Sequence, residues 1–110
     1  MELGDIPFKS VLRRLASQSP QAMRHASVVL KGGSLLSWGF NHDGRHSEIA
    51  ALLKLWASER KGTTVINLRV RKDGSFAMAK PCGECQVQMK DMEVRNVFYS
   101  TPMGWEGMDL

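Results

Sequence analysis

Between Pro7 and Ser17 the apolar residues Phe8, Val11, Leu12 and Leu15 recur at three- and four-residue spacing, the period of an amphipathic helix, and Ser19-Pro20 ends it. Ala26 to Lys31 is a short apolar run of strand length. Gly32-Gly33 is a hairpin signal, and Leu35 to Phe40 returns as a second strand. Beyond Arg45 the residues Ile49, Ala50, Ala51, Leu52, Leu53, Leu55 and Trp56 restore helical spacing in good helix formers. A helix is therefore expected from His46 through Ser58, closed by Lys61-Gly62. Val65 to Arg71 reads as a third strand, followed by an Asp73-Gly74 turn. Phe76 to Lys80 then leads into a helix that Pro81 introduces and Gln86, Val87, Gln88, Met89 and Lys90 continue without a breaker. Val94 to Tyr99 is the fourth strand.

Helices interleaved with strands in this order predict an α/β layered domain with a mixed sheet. The third and fourth strands, joined through a helix, are expected to run parallel. Strand three alternates: Ile66, Leu68 and Val70 fall on one face, and Val65, Asn67, Arg69 and Arg71 on the other. A central strand covered on both sides should be apolar on both, so this polar row predicts partial exposure or a subunit contact. Trp38 and Trp56, within a strand and on a helix, are expected in the core. No repeat, low-complexity stretch or linker interrupts the pattern, so residues 1–110 read as a single domain.

Composition agrees with a small enzyme. A chain of 110 residues can bury about two-thirds of its unfolded surface around one core without a disulfide staple. Its two cysteines lie two residues apart in one motif, which suits a metal clip better than a structural bridge in a secreted protein. Glu2 and Asp5 and the lack of a signal-length apolar run argue against a secretory leader, and no stretch approaches a membrane span. The expected location is cytoplasmic. A formal charge of +4 favours anionic partners but fits nucleotide phosphates, nucleic acid and plain solubility alike. Lys9, Arg13 and Arg14, and Arg69, Arg71 and Lys72, read by default as solvated faces, and the aromatic interleaving that marks single-strand binding is thin.

The candidate chemistry lies in His46-Ser47-Glu48 and Pro81-Cys82-Gly83-Glu84-Cys85, both at predicted helix starts. Two thiolates and one imidazole make three zinc ligands, and an open fourth position is the arrangement of a catalytic rather than a structural site. There a water, its pKa lowered to roughly 7, becomes available as a nucleophile. Glu48 need not bind the metal. A carboxylate in that place can take a proton from the water and pass it to a leaving group. Cys82 and Cys85, three apart, share a helix face, and the partial positive charge of a helix N-terminus is expected to lower the pKa of their thiols. Other readings exist for each part: a redox pair for the cysteines, an ordinary helix start for H-x-E, or a structural site completed by His25 or His42. His25 and His42 otherwise read as surface or turn residues, and the seven methionines as core filler.

With these motifs, over roughly residues 7 to 101, the chain resembles the cytidine deaminase superfamily, whose members include cytidine, deoxycytidylate, blasticidin and tRNA adenosine deaminases and nucleic-acid-editing cytosine deaminases. The resemblance implies a three-layer cytidine deaminase-like α/β fold, here with a short mixed sheet of about four strands and a truncated C-terminus after Thr101-Pro102-Met103-Gly104-Trp105. An uncovered sheet edge and the polar row on strand three then point to a homo-oligomer. It implies one zinc ion held by His46, Cys82 and Cys85, with Glu48 as the catalytic proton shuttle. Asn41 matches an asparagine that in many members bonds substrate, and His42, which follows it, is the histidine nearest that position. The Ser47 backbone amide is placed to bind a base carbonyl. Tyr99, at a strand end, and Trp105, able to close a pocket, complete the substrate candidates, although both also read as packing residues. The implied reaction is hydrolytic conversion of cytosine to uracil in a free nucleoside or nucleotide (cytidine, deoxycytidine or dCMP), with ammonia released. Glycine after Cys82 is similar to the free cytidine deaminases, whereas histidine as first ligand is similar to the deoxycytidylate and nucleic-acid branches. The alternatives are a deaminase acting on single-stranded DNA or RNA, and a non-catalytic zinc or interaction module.

Overall fold

Arg24–Lys31 (β1) and Ser34–Phe40 (β2) form the antiparallel hairpin expected from Gly32-Gly33, whose φ angles of 59° and 82° favour glycine. The computed structural model describes residues 8–19, 24–41 and 46–110. β1 also pairs antiparallel with Thr64–Val70 (β3), and β3 runs parallel to Asn96–Thr101 (β5), as the intervening helix predicts. Phe76–Ala77 (β4) adds a short antiparallel pairing to the end of β3, and Gly104–Asp109 (β6) pairs antiparallel with β5. The mixed sheet runs β2-β1-β3-β5-β6, with β4 beside β3.

Strand alternation builds two cores. Ala26, Val28, Leu30, Ile66 and Leu68 meet Leu12, Leu15 and Ala16 of the helix Lys9–Ser17 (α1). Val29, Val65 and Val97 face the other way, against Ala51 and Leu52 of Ser47–Leu52 (α2) and Cys85 and Met89 of Gly83–Asp91 (α4). The result is the expected three-layer arrangement, each fully buried Leu, Ile, Val or Met contributing about 1.5–3 kcal/mol. α2 sits unusually close to β2. A Cβ on Gly39 would lie 2.9 Å from the Ala51 nitrogen and 3.0 Å from the Ser47 oxygen, both backbone atoms that cannot swing away. Ser37 Oγ donates to the Ala51 carbonyl at 2.7 Å, pinning the same contact. Gly39→Ala should therefore lift α2 and cost about 1–3 kcal/mol. Urea unfolding reads that loss, and metal titration should show weaker binding because His46 starts this helix; an unchanged midpoint would refute the close-contact argument.

Four expectations need correction. The sheet has six strands rather than about four, because the tail that was expected to end it forms β6. Thr101 Oγ1 accepts from Met103 N and donates to the Gly104 carbonyl, which closes the turn. Gly107 then leaves room for the Phe98 ring directly across the pair: a Cβ there would be 2.8 Å from Phe98 Cε1. The helix expected to reach Ser58 is broken after Leu52, where Leu53 caps α2, Arg60 Nε donates to the Leu52 carbonyl, and Ala57–Arg60 (α3) starts afresh. Trp38 and Trp56 are not core residues; they are 47% and 78% exposed. The polar row on β3 is exposed only at its end: Val65 and Asn67 are 0% and 1% exposed, whereas Arg69 is half-buried and Arg71 beyond it is exposed. β6 thus takes the place of β5 at the edge of the sheet. No helix among the described residues is long and apolar enough to cross a membrane.

Candidate metal centre

Two helix starts meet on the α2/α4 side of the sheet. His46 is the N-cap of α2, with extended backbone, and its carbonyl accepts the first helical bond from Ala50 N at 3.0 Å. Cys82 is the N-cap of α4: its carbonyl accepts from Gln86 N at 2.9 Å, while its sulfur accepts from Cys85 N at 3.5 Å. The approach to Cys82 is fixed from below. Ala79 N donates to the Ser100 carbonyl at 2.8 Å and Ser100 Oγ donates to the Ala77 carbonyl at 2.9 Å, which ties residues 77–79 to β5.

These elements bring His46, Cys82 and Cys85 together, with one ligand atom from each lying within 4.8 Å of the others. His46 Nδ1 is 2.9 Å from Cys85 Sγ and 4.0 Å from Cys82 Sγ. Tetrahedral zinc, with bonds of roughly 2.0 Å to nitrogen and 2.3 Å to sulfur, needs donors roughly 3.5–3.8 Å apart, so the three atoms fit after shifts of less than roughly 1 Å. Glu48 stands beside them without joining the set. Its Oε1 is 3.8 Å from His46 Nδ1, and its side chain is 5% exposed against 57% for His46. His46 and Cys82 are open to solvent while Cys85 and Glu48 are buried, so the site has one wet side through which a ligand could enter. His25 does not join the ligand group among the described residues, and His42 lies outside them.

Burial dominates the electrostatics. It raises the Glu48 carboxyl above the usual carboxylate range, opposed by His46 and by a hydrogen bond from Asn67. The expectation that both thiols are lowered by the helix end fails for Cys85. Burial, followed by the neighbouring Glu48 charge, pushes its thiol up. His25, half-buried on β1, is lowered from 6.5 to about 4, first by burial, then by Arg69 and His46. A histidine kept neutral in the fold while the unfolded chain takes up a proton makes stability fall as pH drops from about 6.5 towards 4. After allowance for solvent screening the loss is on the order of 1–2 kcal/mol. Melting curves across that window should show it, and His25→Gln should flatten the dependence; an identical slope in the variant would assign it elsewhere.

The remaining sequence candidates separate. Ser47 is 1% exposed, and its hydroxyl lies 2.7 Å from Ser27 Oγ rather than capping α2. Asn41 is buried, and its Oδ1 accepts from Ser19 Oγ at 2.6 Å and from His25 N at 2.9 Å, joining the end of α1 to the hairpin. Tyr99 is paired in register with Asn67, but its hydroxyl donates to Glu106 Oε2 at 3.1 Å on β6. Trp105 packs on the opposite side of the sheet, in the α1 core, edge-on to Phe76 at 5.7 Å, and takes no part in this site.

Two residues of the site are not singled out by the motifs. Asn67 Nδ2 donates to Glu48 Oε2 at 2.7 Å, and its Oδ1 accepts from Ser27 Oγ at 2.6 Å. The available signal is a polar residue at the middle of each of two apolar strands, and the two are register partners.

No protein-family model matches the chain, and no curated protein matches it. Among solved structures it is similar to RibD of Acinetobacter baumannii, form 2, with a TM-score of 0.58 and 18% identity over 86% of this chain and 27% of that one. The chain thus spans about a quarter of that protein's length. It is also similar to the dCMP deaminase of the cyanophage S-TIM5 in its apo form, with a TM-score of 0.58 and 20% identity over 88% of this chain and 86% of that one. Taken with the α1/sheet/α2-α4 layering, these likenesses show that the chain has the cytidine deaminase-like fold.

Proposed function

We propose that the chain is a zinc-dependent hydrolytic deaminase that converts cytosine to uracil in a free nucleoside or nucleotide. The observation that carries this reading is a His46/Cys82/Cys85 ligand set with a buried carboxylate beside it: Glu48 Oε1 is 3.8 Å from His46 Nδ1. A purely structural site has no use for that carboxylate. Similarity to a dCMP deaminase supports a nucleotide as substrate.

Zinc, when bound, supplies the Lewis acidity that makes a water a nucleophile near neutral pH. Glu48 does the proton work. It takes the proton of the attacking water, delivers it to the ring nitrogen next to the carbon that bears the amine, and serves the departing amine, so that cytosine and water give uracil and ammonia. Burial raises its pKa above the usual carboxylate range, a shift towards the range in which a group can both accept and return a proton. The Ser47 backbone N–H, in the first turn of α2, is the donor we assign to the base carbonyl.

A panel of cytidine, deoxycytidine, their phosphates, single-stranded DNA and RNA, scored together for ammonia release and zinc content, tests the reading. Ammonia from a monomer is the expected result. Activity on oligonucleotides alone replaces it with nucleic-acid editing, and bound zinc without ammonia from any substrate replaces it with a non-catalytic zinc module.

A further inference from the structure

A buried carboxylate is not positioned by burial alone, because the last torsion of a glutamate side chain is broad and two-fold. Asn67 supplies what burial does not. It lies in the middle of β3, 1% exposed, among Val65, Ile66 and Leu68, where an amide costs free energy unless it is fully bonded. Its orientation is determined by its neighbours. Glu48 Oε2, at 2.7 Å, and the Ala79 carbonyl, at 3.4 Å, are both acceptors, so the NH2 group must face them. Oδ1 is then left to accept from Ser27 Oγ, which in turn can accept only from Ser47 Oγ, 2.7 Å away. The donors form one directed chain, Ser47 to Ser27 to Asn67 to Glu48, across α2, β1 and β3 and back to α2.

We propose that Asn67 is a positioning residue for Glu48: by holding Oε2 it leaves Oε1 as the oxygen turned towards the metal ligands, and Ser27 and Ser47 keep Asn67 from flipping. This rests on the deaminase reading of the site. The two oxygens of Glu48 thereby take different tasks. Oε2 is committed to the amide, and Oε1, 3.8 Å from His46 Nδ1, is the one that exchanges protons. The register partners of Asn67 are Ser27 on β1 and Tyr99 on β5, and its amide NH2 is spent on Glu48 and the Ala79 carbonyl.

Asn67→Ala and Ser27→Ala test this in the intact chain. The first removes the donor, and the second removes the bond that orients it together with the contact between Ser27 and Ser47. For Asn67→Ala the expected result is an undiminished zinc content, a KM within about threefold of the parent and a kcat lower by about 100-fold, the scale of an ångström-sized misplacement. Ser27→Ala should lose kcat by about fivefold, with zinc again retained. A folded, zinc-loaded Asn67→Ala with kcat within about threefold of the parent overturns the proposal. If that variant does not fold, Ser27→Ala decides: unchanged kcat overturns, and a selective kcat loss supports. Should the parent release no ammonia from any substrate, the deaminase reading fails by itself, and unfolding midpoints of Asn67→Ala, Glu48→Ala and the double variant decide for Asn67. A double loss well below the sum supports the coupling, and additive losses overturn it.

Discussion

Glu48→Gln is expected to keep zinc bound and to lower kcat by at least about a thousandfold, within the range attributed to general acid and base catalysis. Glutamine has the size of glutamate, so the packing of α2 against the sheet need not change. Its amide oxygen can still accept the Asn67 N–H that now reaches Glu48 Oε2 at 2.7 Å. The ligand atoms of His46, Cys82 and Cys85 are untouched, because Glu48 is not among them. What is lost is the capacity to take a proton at Oε1. Zinc content and ammonia release must be measured on one preparation, since a metal-poor variant would mimic a catalytic defect. A fully loaded variant within tenfold of the parent rate would remove Glu48 from the mechanism and with it the reason to call the centre catalytic. The contrast with Asn67→Ala is diagnostic: losing the shuttle should cost more than misplacing it.

The candidate metal centre is legible in the sequence because helix starts are written locally. His46 and Glu48 precede an apolar run, Pro81 precedes Cys82, and the structure has both histidine and cysteine at N-cap positions. Asn67 was visible and misread. Period-two alternation says which face a residue occupies but not how deeply that face is covered, so it predicts partial exposure or a subunit contact where Asn67 is a buried partner of Glu48. The pairing of Ser27 with Asn67 depends on the antiparallel register of β1 and β3, which separated segments do not reveal. β6 was hidden for another reason. Gly104, Glu106, Gly107 and Asp109 have low strand propensity, and the strand exists because the Thr101–Gly104 turn folds it back and Phe98 fills the space over Gly107. The exposed Trp38 and Trp56 show the converse limit: an aromatic at a periodic position is placed by the elements around it, and the break after Leu52 moves Trp56 off the helix altogether.

Cys85→Ala is expected to reduce zinc affinity by orders of magnitude and to abolish turnover with it, and the pH dependence of binding identifies the cause. Zinc takes thiolates, so any thiol protonated in the metal-free protein must release its proton on binding. Burial and the Glu48 charge hold the Cys85 thiol above its ordinary value, so near neutral pH it carries that proton. Protons therefore compete with zinc: affinity should weaken by about tenfold for each unit the pH is lowered, for each proton so displaced. Removing Cys85 removes one of those protons. Competition with a chromophoric chelator at several pH values should give a slope about one proton smaller in Cys85→Ala than in the parent, alongside the weaker binding. Weaker binding with an unchanged slope would mean that Cys85 is already a thiolate without metal, and that the N-terminus of α4 outweighs the burial that its 4% exposure implies. Because Cys85 packs with Ala51 and Met89, the parent should also melt at a lower temperature once zinc is stripped, whereas chelator should hardly move the melting of Cys85→Ala.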